Sequence, residues 1–280
     1  MDSPDDKLHG LYLYAIGRSK AETVNDLRLE GIDGKNPLFF VAFKDIFGAV
    51  SIVPLSEFGE KALEENIKNS HWLEKKALIH EDIIEQIMKN STVIPMRFCT
   101  IYQNEVRVRE VLEEQYEKFY NALDFLVNKQ EWSVKVFLDQ AILAREISKV
   151  NDKVHKMEKE LKTCTAGKGF FLKKKLDNLI KDEVEAASFI YTDKCYHRLE
   201  RFAERSSLNK LLGKEVTGSD KEMVLNSVYL VAGDKVEEFK QEAGLLKEEY
   251  CALGLALAVS GPWPTYNFCW EEPDGSGVDE

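Results

Sequence analysis

Leu143, Ile147, Val150, Val154, Met157 and Leu161 recur at spacings of 4-3-4-3-4. A seam of about three heptads cannot stay in water as a lone helix, so it demands a partner. Two glycines in "TCTAGKG" break the pattern, and Leu172, Leu176, Leu179, Ala186 and Ile190 resume it. The order predicts two long helices joined by a short turn, an antiparallel hairpin inserted at about 140–212. Lys173, Lys174 and Lys175 in the second helix read as part of a solvated charged face, because Asp177, Lys181 and Glu183 share it.

Strands frame this hairpin. "EWSVKVFLD" alternates with Trp132, Val134, Val136 and Leu138 on one side, and "EMVLNSVYLVA" is a second strand. "DKVEEFKQEAGLLKEEY" is a helix, and "CALGLALAV" reads as a final strand at the sheet centre. Upstream, "LHGLYLYAI" reads as a strand and "LFFVAFKDIFGAVSIVPL" as a hairpin of two, ending with Ala49–Val53. A helix follows with Leu73, Ala77, His80, Ile84 and Met88 on one face. "TVIPMRF" is an edge strand, and one further helix runs from Val108 to Leu126. The first crossover is a short helix or the loop around 25–36. Together these patterns predict an α+β protein of two ferredoxin-like domains: residues 1–130, residues 131–268 with the helical hairpin, and a disordered acidic tail at 269–280.

Catalytic and metal signatures do not assemble. His80-Glu81 begins H-E-x-x-H, but Ile84 stands where the second histidine belongs. His9, His71, His155 and His197 have no ligand-spaced partner, so His80 reads as a satisfied histidine on an apolar helix face. Five cysteines occur without C-x-x-C, which fits reduced, mostly buried thiols in a cytoplasmic protein. The glycines of "GKG" join two helices and do not follow a strand as a P-loop requires. No G-x-S-x-G is present. We therefore expect no enzyme and no cofactor. The net charge of −11 argues against nucleic acid and against an anionic lipid membrane as partners. The opening "MDSPDDK" reads as no secretory leader, and no apolar run has spanning length.

Three places ask for structural explanation. Pro95 interrupts the strand that leads to Arg97, whose guanidinium, if buried, needs an acceptor, Glu81 on the preceding helix being one candidate; the alternative is an edge-strand arginine that points at water. Trp132 opens the second domain. Gly261, Pro262, Trp263, Pro264, Tyr266 and Phe268 form "GPWPTYNF" directly after the last strand. Two prolines stiffen that strip, and its three rings are expected to dock as a latch on an apolar surface at the junction of the domains, with an exposed partner-binding patch formed by the same rings as the alternative.

These stretches together resemble the gas vesicle protein F/L family. The carrying residues are "LYLYAI", His80-Glu81, "VIPMRFCTIY", "EWSVKV", "GKGFFLKKK", "VYLVA" and "GPWPTYNF", spread from about residue 11 to 268. The family pattern has glycine after Arg-Phe where this chain has Cys99, and a second consecutive proline where it has Thr265. The resemblance implies a non-enzymatic accessory or minor structural protein of the gas vesicle. Its implied partners are the hydrophobic shell protein and other gas vesicle accessory proteins. A small-molecule-binding regulatory protein built on tandem ferredoxin-like domains is the alternative.

Overall fold

The computed structural model describes residues 8–18 and 28–270. It is a mixed α/β structure in two compact units. One comprises the described residues up to Gln130 together with those from Trp263, and the other is Glu131–Pro262. The segment 263–268, read from sequence as the end of the second domain, is thus part of the first unit. The order also extends past residue 268: Cys269 is buried, and the Trp270 ring lies 6.0 Å from that of Phe119. The expected tail beyond Trp270 falls outside the described residues.

The first unit holds strands β1 (His9–Arg18), β2 (Phe39–Phe43), β3 (Ile46–Pro54), β4 (Thr92–Pro95) and β5 (Ile101–Tyr102), with helices α1 (Leu55–Phe58), α2 (Glu60–Asn66), α3 (Ser70–Met88), α4 (Glu105–Glu114) and α5 (Tyr116–Leu126). The sheet order is β2-β3-β1-β4, and β5 pairs with β1. All its pairings are antiparallel. β1 is buried along almost its whole length, as a central strand must be. β2 and β3 are joined at Lys44-Asp45, since Phe43 pairs with Ile46. Lys44 takes φ 52°, the left-handed region that a tight hairpin turn demands. Two expectations change here. The single helix expected over 108–126 is two, parted at Gln115. The inward face of α3 is Lys76, His80, Ile83, Ile84 and Ile87, turned away from the stripe that Leu73 and Ala77 define. A lysine had hidden that face, because its side chain is ordinarily counted as solvent-side.

The second unit holds β6 (Lys129–Leu138), α6 (Gln140–Val150), α7 (Asp152–Thr163), α8 (Ala166–Glu200), β7 (Arg205–Leu208), α9 (Lys214–Thr217), β8 (Glu222–Ala232), α10 (Val236–Cys251) and β9 (Leu255–Trp263). Sheet order is β7-β8-β6-β9. β9 is therefore an edge strand and not the centre. Its burial alternates, with Leu255 and Leu257 inward and Ala256 and Ala258 outward, so its unbroken apolar run was misleading. β7 falls within the expected hairpin insertion. Its residues, Arg-Ser-Ser-Leu, carry no strand signal of their own, and pairing with β8 through Leu230–Ser227 creates the strand.

The first arm of the hairpin is two helices. Asn151 ends α6 in an extended conformation (φ −89°, ψ 110°), and its side chain accepts from Lys153 N and Val154 N to start α7. That break throws Val150, 80% exposed, out of the seam, while Leu143 and Val154 stay buried. The core of this unit is centred on Val134, Val136, Cys195, Leu199, Tyr229, Phe239 and Leu246. Arg198 of α8 is ion-paired to Glu242 and Glu249 of α10.

Candidate functional site

Tyr12 and Tyr14 lie two residues apart on β1, so both rings enter the same face of the first unit, 4.7 Å apart. Each hydroxyl is buried and must be paired. Tyr14 Oη accepts from Ile32 N at 2.8 Å and bonds Ser51 Oγ at 2.7 Å. Tyr12 Oη accepts from Cys99 N at 2.8 Å and reaches His80 Nδ1 at 3.1 Å. His80 Nε2 lies 3.2 Å from the Met96 carbonyl, which only accepts. Nε2 therefore carries the proton, and Nδ1 accepts from Tyr12. Burial lowers the His80 pKa to about 4, so the ring is neutral near pH 7.

The C-terminal segment completes this network. His80 Nε2 is also 3.1 Å from Tyr266 Oη, which donates to Glu81 Oε1 at 2.9 Å. Tyr12, His80, Tyr266 and Glu81 thus form one hydrogen-bonded chain joining β1, α3 and residues near the C-terminus. Burial raises the Glu81 pKa, opposed by the Tyr266 hydrogen bond. Below this chain, Lys76 is buried, donates to the Ile32 carbonyl at 2.9 Å and pairs with Glu57 at 2.9 Å. Its ammonium lies 5.1 Å from the Phe58 ring centroid, and Glu57 also accepts from Trp72 Nε1. Every polar group named here is satisfied within the unit. Burial pushes the Cys99 thiol up to about 11, which leaves it protonated and weakly nucleophilic near pH 7. The arrangement fastens a chain segment.

Local turns set that segment. Tyr266 N donates to the Pro264 carbonyl, and Phe268 N and Cys269 N both donate to that of Thr265. Thr265 is buried with Oγ1 3.5 Å from the Val93 carbonyl, and Phe268 is 1% exposed. Trp263 keeps 40% exposure. The anchors are Thr265, Tyr266 and Phe268, and the tryptophan is not the deepest of the rings. Gly261 has φ 139°. A Cβ there would stand 2.9 Å from the Glu131 carbonyl and 3.1 Å from the Trp132 ring, so only glycine lets β9 pass. Trp132 itself is buried in the second unit, and Lys240 Nζ sits 4.8 Å from its ring centroid.

The remaining expected residues separate. Pro95 is buried at the end of β4, opposite Ala15. Arg97 lies beyond that strand and is exposed; the carboxylate expected to meet it, Glu81, takes its hydrogen bond from Tyr266. The buried guanidinium that required an ion pair is absent, because the strand stops two residues short of it. Tyr12, Tyr14, Glu57 and Lys76 were not singled out from the sequence. The period-two tyrosines of "LYLY" were the visible signal. Cys99 has φ 62°, a left-handed conformation that glycine adopts without cost. The glycine of the family pattern at this position has that physical reason.

Comparison with known proteins gives concordant results. The model of the family described as "Gas vesicle synthesis protein GvpL/GvpF" matches residues 10–270. Gas vesicle protein L of Streptomyces sp. (strain CB03234) is 23% identical, over 92% of this chain and 91% of its own. Gas vesicle protein L1 of Halobacterium salinarum is 23% identical, over 93% and 90%. In structure, the chain is similar to the gas vesicle protein GvpF from Anabaena sp. PCC7120, with TM-score 0.70 at 17% identity, covering 94% of this chain and 99% of that one. GvpF from Microcystis aeruginosa gives TM-score 0.63 at 18% identity, with 93% and 98% covered.

Proposed function

The chain belongs to the gas vesicle synthesis protein GvpL/GvpF family, and on that premise we propose that it is a non-enzymatic accessory or minor structural protein that binds the hydrophobic shell protein and supports gas vesicle assembly in the cytoplasm. The observation that carries this reading is the family match, which runs from residue 10 to residue 270 and so spans both units. Two further features support it. Both sheets leave strands at their edges, and a sheet edge can accept an added strand. The polar network of the first unit is spent on internal bonds, as suits a scaffold.

An apolar, strand-forming subunit needs both a backbone partner and cover for its side chains. β9 offers an edge without a single charged residue from Leu255 to Trp263, with Ala256 and Ala258 outward. Natural edges are usually blunted by charge, and here the other edge, β7, is short and begins with an arginine. The excess negative charge keeps such a complex from self-associating. Co-expression of the tagged chain with the shell protein tests the proposal. Retention of the shell protein through washes at low and high salt is expected. Its absence at every salt concentration would rule out direct binding.

A further inference from the structure

The hairpin tip concentrates what the whole-chain charge conceals. Residues 152–175 hold eight lysines against three carboxylates, a net charge of +5, whereas the chain as a whole is −11, so the remainder carries −16. All eight lysines are exposed. A lysine run on a helix is ordinarily a solvated face, and charge alone would assign nothing here. The second observation is apolar. Phe170 and Phe171, in the first turns of α8, are 71% and 69% exposed, with ring centroids 5.8 Å apart. Leu172 and Leu176 point the other way, into the unit, with Leu176 buried. Two adjacent phenylalanines are thus turned outward, with Lys168 before them and Lys173, Lys174 and Lys175 after them.

We propose that this tip is a docking surface for an anionic lipid bilayer. Lysines at the rim of an exposed aromatic pair match an interface where phosphates or carboxylates lie above an apolar layer: the ammonium groups meet the headgroups while the rings enter the acyl boundary. The charge distribution favours this partner. The remainder of the chain is acidic and is repelled by an anionic surface, so its net charge favours attachment through the basic tip. The net negative charge that argued against a membrane is an average over a polarised chain. An acidic protein would satisfy the lysines, but it would have to supply a preformed apolar slot for both rings. A bilayer supplies that layer everywhere.

Flotation of the full chain with vesicles tests the inference. Phosphatidylcholine vesicles containing phosphatidylserine are expected to carry the protein upward at low salt, with release at high salt. Pure phosphatidylcholine vesicles should leave it behind. Lys173→Glu/Lys174→Glu/Lys175→Glu and, separately, Phe170→Ser/Phe171→Ser should each lower vesicle partitioning about tenfold or more. These positions are exposed, and an unchanged circular dichroism melt confirms that both variants fold. Lys61→Glu/Lys68→Glu in the first unit is the control and should partition as the parent does. Equal binding to both vesicle types, no binding to either, or retention on polyglutamate but not on vesicles would each overturn the assignment. None of these outcomes bears on shell-protein binding, which is read by co-purification.

Discussion

His80 shows what one buried group does to the pH response. Its folded pKa lies near 4, below the 6.5 of an exposed imidazole. Between those values the unfolded chain binds the proton and the folded chain does not. Stability is therefore full above pH 6.5 and falls as pH drops toward 4, by on the order of 3 kcal/mol. Glu81 acts with the opposite sign, since its raised pKa means the folded state holds a proton that the unfolded state releases as pH rises above 4.5. His80→Gln separates the two. Urea unfolding across this range should show the acid-side loss much reduced in the variant, and equal slopes would refute the neutral-histidine account. The C-terminal rings give a second prediction. Phe268→Ala should cost about 3–5 kcal/mol, the range for a large buried side chain. Trp263→Ala, at a part-exposed site, should cost about 1 kcal/mol, and chemical denaturation of both variants checks the order.

At the scale of elements, β6 was legible by its alternation and α3 by its helical spacing, while β1, β3, β8 and α10 were legible as segments without a one-faced period, the strands being buried along nearly their whole length. What escaped notice depended on short-range competition or on tertiary pairing. Asn151 is a polar residue inside an apolar rhythm, and its capping bonds outweigh continuation of the heptad. β7 exists because β8 needs a neighbour. The rotated face of α3 turns on Lys76, whose burial is tolerable only because Glu57, the Ile32 carbonyl and the Phe58 ring converge on it, from elements distant in sequence. The candidate site was half visible for the same reason. His80, Glu81 and Tyr266 could be picked out singly, but nothing in their spacing says that they touch. The hairpin offers a test of the broken seam. Val154→Asp buries a carboxylate and should cost several kcal/mol, whereas Val150→Asp, at an exposed position of the same heptad register, should change stability by less than about 0.5 kcal/mol. Equal losses in circular dichroism melts would mean the seam is continuous.

The molecule as a whole is two units with interleaved sequence, since the first draws on both ends of the described chain. Removing residues from Trp263 onward takes Thr265, Tyr266 and Phe268 from the first unit and none of the core residues named for the second. A chain stopped after Pro262 should therefore lose stability in the first unit, with Trp72 fluorescence reporting its earlier unfolding. The second unit should keep its own transition, followed through Trp132. If both transitions stay in place, the segment is an ornament and not a fastening.

The interleaving also orders events in time. A ribosome delivers the β1 strand before the second unit, and Tyr266 and Phe268 only after the whole of the second unit has emerged. Until then His80 lacks the phenol that links it to Glu81, and the cavity that receives Phe268 stands open. A product released early, by a stalled ribosome or a premature stop codon, keeps that opening. A chain that stops before Tyr266 thus shows its fault in the first unit, although the missing residues follow the second.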